Sequence, residues 1–349
     1  MTALWNLPDF DAHEGVHFFS DPASGLRAII AIHSTHRGPA AGGARFWRYA
    51  EADDAVTDTL RLSRGMSFKN AMAGLPMGGG KGVILAPAVG GKTPEMLAAF
   101  GGAIESLGGR YVTAEDVGMV EADLVVIGRE TRHVSGLPVG QGSAGGDPGP
   151  STAQGVFLGV KAAVRRCLGK ESMGGVHVAI QGVGSVGGGL AQRLAGEGAK
   201  LTLADVDGTR AQALADELGA AVVDASEILR VQADVVSPCA LGAILTERSI
   251  ATLDAPIVAG GANNQLATPA DGDRLHARGI LYAPDYVINA GGIINVSLEY
   301  LGEGDRAEVD ARVAEIPGRL EQIWSESAAT GHTAARVADA MAMRLIGRG

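Results

Sequence analysis

The hydrophobic pattern changes period several times along the chain. His17-Phe18-Phe19-Ser20 and Leu26-Arg27-Ala28-Ile29-Ile30-Ala31-Ile32 flank the turn residues Asp21-Pro22-Ala23-Ser24-Gly25, which predicts two strands joined by a turn. Ala52, Ala55, Val56, Thr59, Leu60 and Ser63 then recur at helical spacing, and that helix should run through Lys69 and stop at Gly74-Leu75-Pro76. Val83-Ile84-Leu85-Ala86 predicts a strand, and residues 94–107 predict a helix with Thr93 as its N-cap. Residues 140–150 are rich in Gly, Ser and Pro and predict a hinge. Beyond a helix at 151–168, strands and helices alternate. Strands are expected at 176–181, 200–204, 221–223, 234–236, 256–259 and 280–282, as in a doubly wound parallel sheet.

The first of those strands ends in Gly182-x-Gly184-x-x-Gly187 and leads into a helix expected over 188–198. The first glycine permits a tight strand-to-helix turn. The second lets backbone N–H groups approach a pyrophosphate, and the third lets helix and strand pack closely. The helix N-terminus adds unpaired N–H groups and a positive dipole end. In a chain with 52 glycines the pattern alone is weak, but its context strengthens it: the next strand, Lys200 to Ala204, ends at Asp205. A carboxylate there accepts hydrogen bonds from the adenosine ribose hydroxyls and repels a 2′-phosphate, which favours NAD over NADP. Arg210 weakens that preference unless it sits on the solvated face of the following helix. The expected fold is α/β with two domains and a cleft between them. An N-terminal α/β substrate domain spans 1–138 and a Rossmann dinucleotide-binding domain spans 139–324. Helices at about 306–327 and 333–346 end the chain, and residues from about 325 to 349 are expected to return to the first domain.

Composition narrows the class. At 349 residues the chain suits two domains, and 46% hydrophobic residues exclude disorder. A formal net charge of −10 argues against nucleic-acid binding. Cys167 and Cys239 show no metal or redox spacing and are expected as free thiols in a reducing compartment. No metal-ligand cluster, signal peptide or membrane-spanning stretch is apparent, so a cytoplasmic protein is expected.

A second chemical signal lies in Lys69-Asn70-Ala71-Met72-Ala73-Gly74-Leu75-Pro76-Met77-Gly78-Gly79-Gly80-Lys81-Gly82. It is not a P-loop, because Leu75 and Gly82 occupy the positions of the required Gly and Ser/Thr. The glycine-rich segment, read as a turn, could aim Lys69 and Lys81 at one cleft. One ammonium would then stay charged as a carboxylate clamp, and the other, depressed by burial and its neighbour, would serve as a general base. The alternative is a pair of solvated lysines. Tyr111-Val112-Thr113-Ala114-Glu115-Asp116 ends a strand in adjacent carboxylates. Asp116 could relay a proton, or it could cap the segment at 121–129.

These segments together resemble the glutamate/leucine/phenylalanine/valine dehydrogenase superfamily, most closely its leucine and phenylalanine branch. The resemblance also includes Gly38-Pro39-Ala40-Ala41-Gly42-Gly43, Gly146-Asp147-Pro148-Gly149-Pro150-Ser151-Thr152-Ala153, Ser237-Pro238-Cys239-Ala240-Leu241-Gly242, Gly261-Ala262-Asn263-Asn264-Gln265-Leu266 and Tyr282-Ala283-Pro284-Asp285-Tyr286-Val287-Ile288-Asn289-Ala290-Gly291-Gly292. It implies that Lys69 binds the substrate carboxylate, Lys81 activates water and Asp116 assists proton transfer. Gly42 and Gly43 would line the substrate site. Asn264 would hold the substrate amino group or the nicotinamide ribose, and Thr152 the carboxamide. Gly182, Val183, Gly184, Ser185, Val186, Gly187, Cys239 and Ala240 would contact NAD. The implied reaction is reversible oxidative deamination: an L-amino acid, NAD and water give a 2-oxo acid, ammonia and NADH. The branch also implies a homo-oligomer.

By the same resemblance, Ala41, Ala114, Ile293 and Val296 line the side-chain pocket. All are apolar, which argues against glutamate, whose buried carboxylate would need a positive partner. Ala41 is smaller than the leucine expected of leucine dehydrogenases and would admit an aromatic ring, whereas Ile293 and Val296 suit a branched chain. Leucine or another branched-chain amino acid is the first expectation and phenylalanine the second. A non-catalytic NAD-binding sensor and a 2-hydroxy-acid dehydrogenase are the readings of other kinds; the Lys69, Lys81 and Asp116 set argues against both.

Overall fold

The computed structural model describes residues 4–349 other than 139, 141, 142, 241 and 303. Part of the segment expected as a hinge therefore lies outside the described residues, as does Leu241. The chain divides into two units. The first comprises Met1–Asp147, Ile293–Val309 and Met341–Gly349, and the second Pro148–Gly292 and Asp310–Ala340.

In the first unit, β1 (Gly15–Asp21), β2 (Leu26–Ser34), β3 (Ala40–Ala41), β4 (Ala44–Trp47), β5 (Gly78–Leu85) and β6 (Tyr111–Val112) form one sheet. The order is β1-β2-β5-β3-β6, and β4 also pairs with β5. Helix α1 (Ala52–Met72) covers one face through Ala55, which packs with Ile29 and Val83. Helices α2 (Pro94–Glu105) and α3 (Glu121–Ile127) cover the other, packing Phe100 and Leu124 into one core with Ile30, Ile32, Ile84 and Tyr111 of the sheet. Thr93 caps α2 by accepting from the Met96 N–H at 3.2 Å.

The glycine run expected as a turn is instead the first half of β5, paired with β2, β3 and β4. Its composition follows from packing. A Cβ on Gly79 would lie 2.0 Å from the Ser67 backbone nitrogen of α1, and one on Gly78 would lie 2.0 Å from the Ser34 carbonyl. On the opposite face, a Cβ on Gly80 or Gly82 would press on Tyr111 or Phe100. The strand has shed its side chains so that α1 can lie on its backbone, and the glycines that obscured its strand character are what allow it to be central.

The second unit opens with α4 (Gly149–Leu168). There follow β7 (His177–Gln181), α5 (Ser185–Gly196), β8 (Lys200–Ala204), α6 (Gly208–Leu218), β9 (Ala221–Val222), β10 (Val235–Pro238), α7 (Glu247–Thr252), β11 (Ile257–Val258), α8 (Pro269–Ala277), β12 (Leu281–Tyr282) and α9 (Asp285–Ile288). The sheet is parallel throughout, in the order β12-β11-β10-β7-β8-β9. The strand order reverses between β7 and β10, the point at which doubly wound sheets open a crevice. Helix α5 starts at Ser185 rather than Gly188, so the fingerprint itself forms the first turn.

The end of the chain departs from expectation. Helix α10 (Gly291–Leu301) was not anticipated, and residues 306–327 form two helices, α11 (Arg306–Val313) and α12 (Ile316–Thr330), before α13 (Ala334–Leu345). Pro317 explains the break: it has no N–H to bond back into α11, yet suits the first turn of α12. The returning segments also differ. Helix α12 stays with the second unit, where the Trp324 indole donates to the Tyr282 carbonyl at 2.9 Å. Residues 293–309 and 341–349 join the first unit instead. Glu299 accepts from the N–H groups of Gly136 and Leu137 at 2.8 and 3.0 Å, and Arg348 donates to the carbonyls of Asp11, Ala12 and His33. Among the described residues, no helix is long and apolar enough to cross a membrane, and no His/Cys/Asp/Glu group could hold a metal.

Two glycines should respond oppositely to one methyl group. Gly79→Ala drives Cβ into the Ser67 backbone and should destabilise by about 3 kcal/mol. Gly65→Ala, on an open position of α1, should stabilise by about 0.5–1 kcal/mol. Urea unfolding of the two variants checks the assignment; equal effects would contradict it.

Candidate active site

Alternation along β5 puts Gly79, Lys81 and Val83 on the face covered by α1, and Lys81 is buried there at 4% exposure. Its Nζ lies 2.7 Å from Asp116 Oδ2. The same oxygen accepts from Arg45 Nε on β4 at 2.9 Å, while Arg45 Nη1 donates to Asp58 Oδ2 on α1 at 2.8 Å. The Tyr49 hydroxyl donates to that Asp58 oxygen at 2.5 Å. Burial pulls the Lys81 ammonium below the usual lysine range, against the opposing pull of Asp116. Burial alone would raise the Asp116 carboxyl, but Lys81 and Arg45 outweigh it and hold the group below its ordinary value. Asp116 does not cap α3: the N-cap is Val120, whose N–H is taken by Asp123. Lys81 is a buried, paired lysine and not a solvated one.

Gly42 and Gly43 make this closeness possible. A Cβ on Gly42 would lie 1.9 Å from the Gly80 carbonyl oxygen, and one on Gly43 would lie 2.2 Å from the Glu115 carbonyl oxygen. The two glycines are thus wedged between the backbone that carries Lys81 and the backbone that carries Asp116. Tyr111 donates to the Gly42 carbonyl at 2.7 Å, and Gly42 donates to the Val112 carbonyl at 3.1 Å. The neighbouring Glu115 carboxyl is raised by burial and then by nearby carboxylates.

Lys69 is half-buried in the last turn of α1. The next residue, Asn70, is fully buried and donates to the carbonyls of Ala41 (3.3 Å) and Gly78 (2.5 Å). Ala41 and Ala114 are buried at and just beyond the adjoining strands β3 and β6. Ile293 is half-buried and Val296 buried on the part of α10 that belongs to this unit. All the residues expected to touch the substrate lie in the first unit except Asn264.

The residues expected around the dinucleotide all lie in the second unit. Gly182 has φ +86°, a conformation open to glycine, and a Cβ there would meet Ala240 at 2.8 Å. A Cβ on Gly187 would lie 1.9 Å from the Gly182 carbonyl and 3.0 Å from Cys239 Cβ. Nothing lies within 4 Å of the corresponding position on Gly184, so the turn faces open space. Gly261 closes against Val186 and Cys239 and donates its N–H to the Cys239 sulfur at 3.4 Å. Burial pushes the Cys239 thiol up, which keeps it protonated. A tight glycine turn, a helix N-terminus and an open face at the crossover point fit a bound pyrophosphate.

Asp205 ends β8 with its side chain only 5% exposed. It accepts from the N–H groups of Val183 (2.8 Å) and Asp207 (2.9 Å) and from Arg210 Nη2 (2.7 Å). Burial opposes its ionisation, but these donors, Arg210 foremost, hold its carboxyl below the usual range. Arg210 is exposed on α6, as the sequence allowed, yet it reaches back to the carboxylate it was expected to leave free. Thr152, in the first turn of α4, donates to the Pro148 carbonyl at 2.9 Å. Asn264 is exposed and has φ +51°, a left-handed conformation that asparagine tolerates.

Arg45, Asp58 and Tyr49 were not singled out from the sequence. Arg45 lies two residues beyond Gly43, but nothing in its neighbours signals that it meets a carboxylate 71 positions away.

Comparison with known proteins places the chain in a family. Residues 13–133 match the family described as Glu/Leu/Phe/Val dehydrogenase, dimerisation domain, and 209–345 match Glutamate/Leucine/Phenylalanine/Valine dehydrogenase. The chain is 46% identical to a leucine dehydrogenase of Geobacillus stearothermophilus, over 90% of this chain and 85% of that protein. It is 44% identical to a valine dehydrogenase of Streptomyces albus, over 96% and 92% respectively. The crystal structure of L-tryptophan dehydrogenase from Nostoc punctiforme superposes with a TM-score of 0.84 at 40% identity, covering 96% of each chain. The matched models cover both units and the relatives are amino-acid dehydrogenases; the chain belongs to the glutamate/leucine/phenylalanine/valine dehydrogenase family.

Proposed function

We propose that the protein is an NAD-dependent dehydrogenase for hydrophobic L-amino acids, with a branched-chain substrate such as leucine preferred. The observation that carries this reading is Lys81, buried 2.7 Å from Asp116 beside Gly42 and Gly43. Lys69 binds the substrate carboxylate. Lys81 in its neutral form takes a proton from the water that adds at Cα, and returns it as ammonia departs. Asp116 balances the charge that this proton transfer creates. Ala41, Ala114, Ile293 and Val296 offer an apolar wall, on which a glutamate side chain would lose its hydration without gaining a partner. The small Ala41 leaves room for an aromatic ring and favours phenylalanine as the second reading.

The nicotinamide, when bound, supplies the hydride acceptor. Gly182, Val183, Gly184, Ser185, Val186 and Gly187 would hold its pyrophosphate, with Cys239 and Ala240 bordering the turn. Thr152 would orient the carboxamide, Asn264 the nicotinamide ribose or the substrate amine, and Asp205 the adenosine ribose. The Asp205 carboxylate disfavours a 2′-phosphate, and Arg210 softens that preference by pairing with it. Both cysteines are free, in keeping with a cytoplasmic enzyme. A homo-oligomer accords with the dimerisation domain named for residues 13–133.

The decisive experiment is NADH oxidation with and without ammonium across 4-methyl-2-oxopentanoate, 3-methyl-2-oxobutanoate, phenylpyruvate and 2-oxoglutarate. Ammonium-dependent turnover, fastest with 4-methyl-2-oxopentanoate, is expected. Ammonium-independent reduction would instead indicate a hydroxy-acid enzyme, and fastest turnover of phenylpyruvate would favour the aromatic reading. Lys81→Ala should reduce turnover by at least about 10³-fold while NADH still quenches protein fluorescence. A parallel loss of NADH binding would remove Lys81 from the assigned role. Asp205→Ala should raise kcat/KM with NADP relative to NAD by about tenfold or more; an unmoved ratio would place the ribose elsewhere.

A further inference from the structure

Asp116 Oδ2 is shared by two cations of different character. Burial weakens the hold of Lys81 on its proton, whereas the Arg45 guanidinium keeps its charge. Beyond Arg45 the chain continues to Asp58 and to the Tyr49 hydroxyl, giving an alternating row: Lys81, Asp116, Arg45, Asp58, Tyr49. Tyr49 keeps its proton, because burial and then Asp58 raise the phenol above its usual range. We propose that Arg45, anchored by Asp58 and Tyr49, is a positioning residue that fixes Asp116 as a permanent carboxylate and leaves Lys81 as the one member of the row with a mobile proton.

This role follows from charge balance at short range. Asp116 alone beside Lys81 would stabilise the ammonium and make the base harder to free. Arg45 takes up part of the same oxygen's charge and so offsets that hold, while Asp58 restrains Arg45 and acts in the opposite sense. The orientation is fixed as well, since Arg45 reaches both carboxylates through different nitrogens, Nε to Asp116 and Nη1 to Asp58. Asp116 then acts through its charge and not by relaying a proton, as the sequence had suggested it could.

The surroundings of Lys81 contain no better candidate for this control. Asp116 approaches from the segment after β6, Arg45 from β4 and Asp58 from α1, and α1 also carries Lys69 and Arg64; the neighbouring Glu115 answers to burial and to other carboxylates. Arg64 is turned to Asp11. Tyr111 on β6 is committed to the Gly42 carbonyl. On β2, His33 is held neutral, its imidazole pulled down to about 3 by burial and by Arg348, and it bonds Ser67.

The inference rests on the assignment of Lys81 as base, so the test uses two independent readouts. One is the pH profile of kcat/KM for amino-acid oxidation. The other is the pH dependence of Lys81 carbamylation by cyanate in the enzyme without substrate, read by mass spectrometry. Neutral amine is the reactive form in both, so each signal rises with pH through the Lys81 titration. Arg45→Gln should move both rises to higher pH by about one unit, because Asp116 then holds the ammonium unopposed. Asp58→Asn should move both to lower pH, and Arg45→Lys should restore most of the wild-type profile. A uniform loss of rate with unmoved profiles, or shifts of the same sign in Arg45→Gln and Asp58→Asn, would overturn the proposal. If the wild-type protein oxidises no amino acid, the proposed function fails by itself, and the cyanate profile still tests Arg45.

Discussion

The approach of bare backbone to bare backbone is the constraint on which the first unit depends. Gly79 lets α1 rest on β5, Gly42 presses on the Gly80 carbonyl, and Gly43 presses on the Glu115 carbonyl. These contacts leave no room for a Cβ, so three chain segments converge within a few ångströms. Lys81 and Asp116 meet because the segments that carry them are held apart by glycine alone. A lysine buried this deeply would cost several kcal/mol without a partner. The same closeness that buries the charge supplies the carboxylate that compensates it.

The ion-pair row that grows from this contact has a directional order. Burial works to neutralise Lys81, Asp116 resists, and Arg45 tempers the resistance. The result is a lysine whose proton is held less tightly than usual beside a carboxyl held below its usual range. A general base near neutral pH needs that combination, since a strongly held proton makes a poor base and an unpaired buried ammonium makes an unstable fold.

The second unit reaches its site by a different economy. Its parallel sheet reverses strand order between β7 and β10, and glycine turns draw Gly182, Gly187, Cys239 and Gly261 together at that reversal. Asp205 shows how tightly such a site is coupled. Its carboxylate accepts from Val183 within the glycine turn itself, so the residue that would read the ribose also fixes the shape of the turn that would hold the phosphates. Arg210 joins that arrangement from the exposed face of α6, which links the charge at the ribose position to a solvent-facing side chain.

Much of this was legible in the amino-acid sequence. The two-domain α/β architecture, the glycine turn and the lysine and aspartate positions follow from local patterns, because strand alternation, helix period and turn chemistry act over a few residues. Three features did not follow. The run Gly78 to Gly82 has the composition of a turn, and only the packing of Ser67, Tyr111 and Phe100 shows that it is a central strand. The division of the C-terminal helices depends on which unit offers each a partner, Tyr282 for Trp324 and Gly136 for Glu299, and such partners are far away in sequence. The pairing of Arg45 with Asp116, and of Arg210 with Asp205, depends on side-chain reach across strands and turns that no periodicity encodes. The sequence by itself therefore determined most of the elements and the chemical groups, but not the strand character of Gly78 to Gly82 or the helix α10. The tertiary structure decided which charges meet, because electrostatic partnership depends on distances that only packing sets.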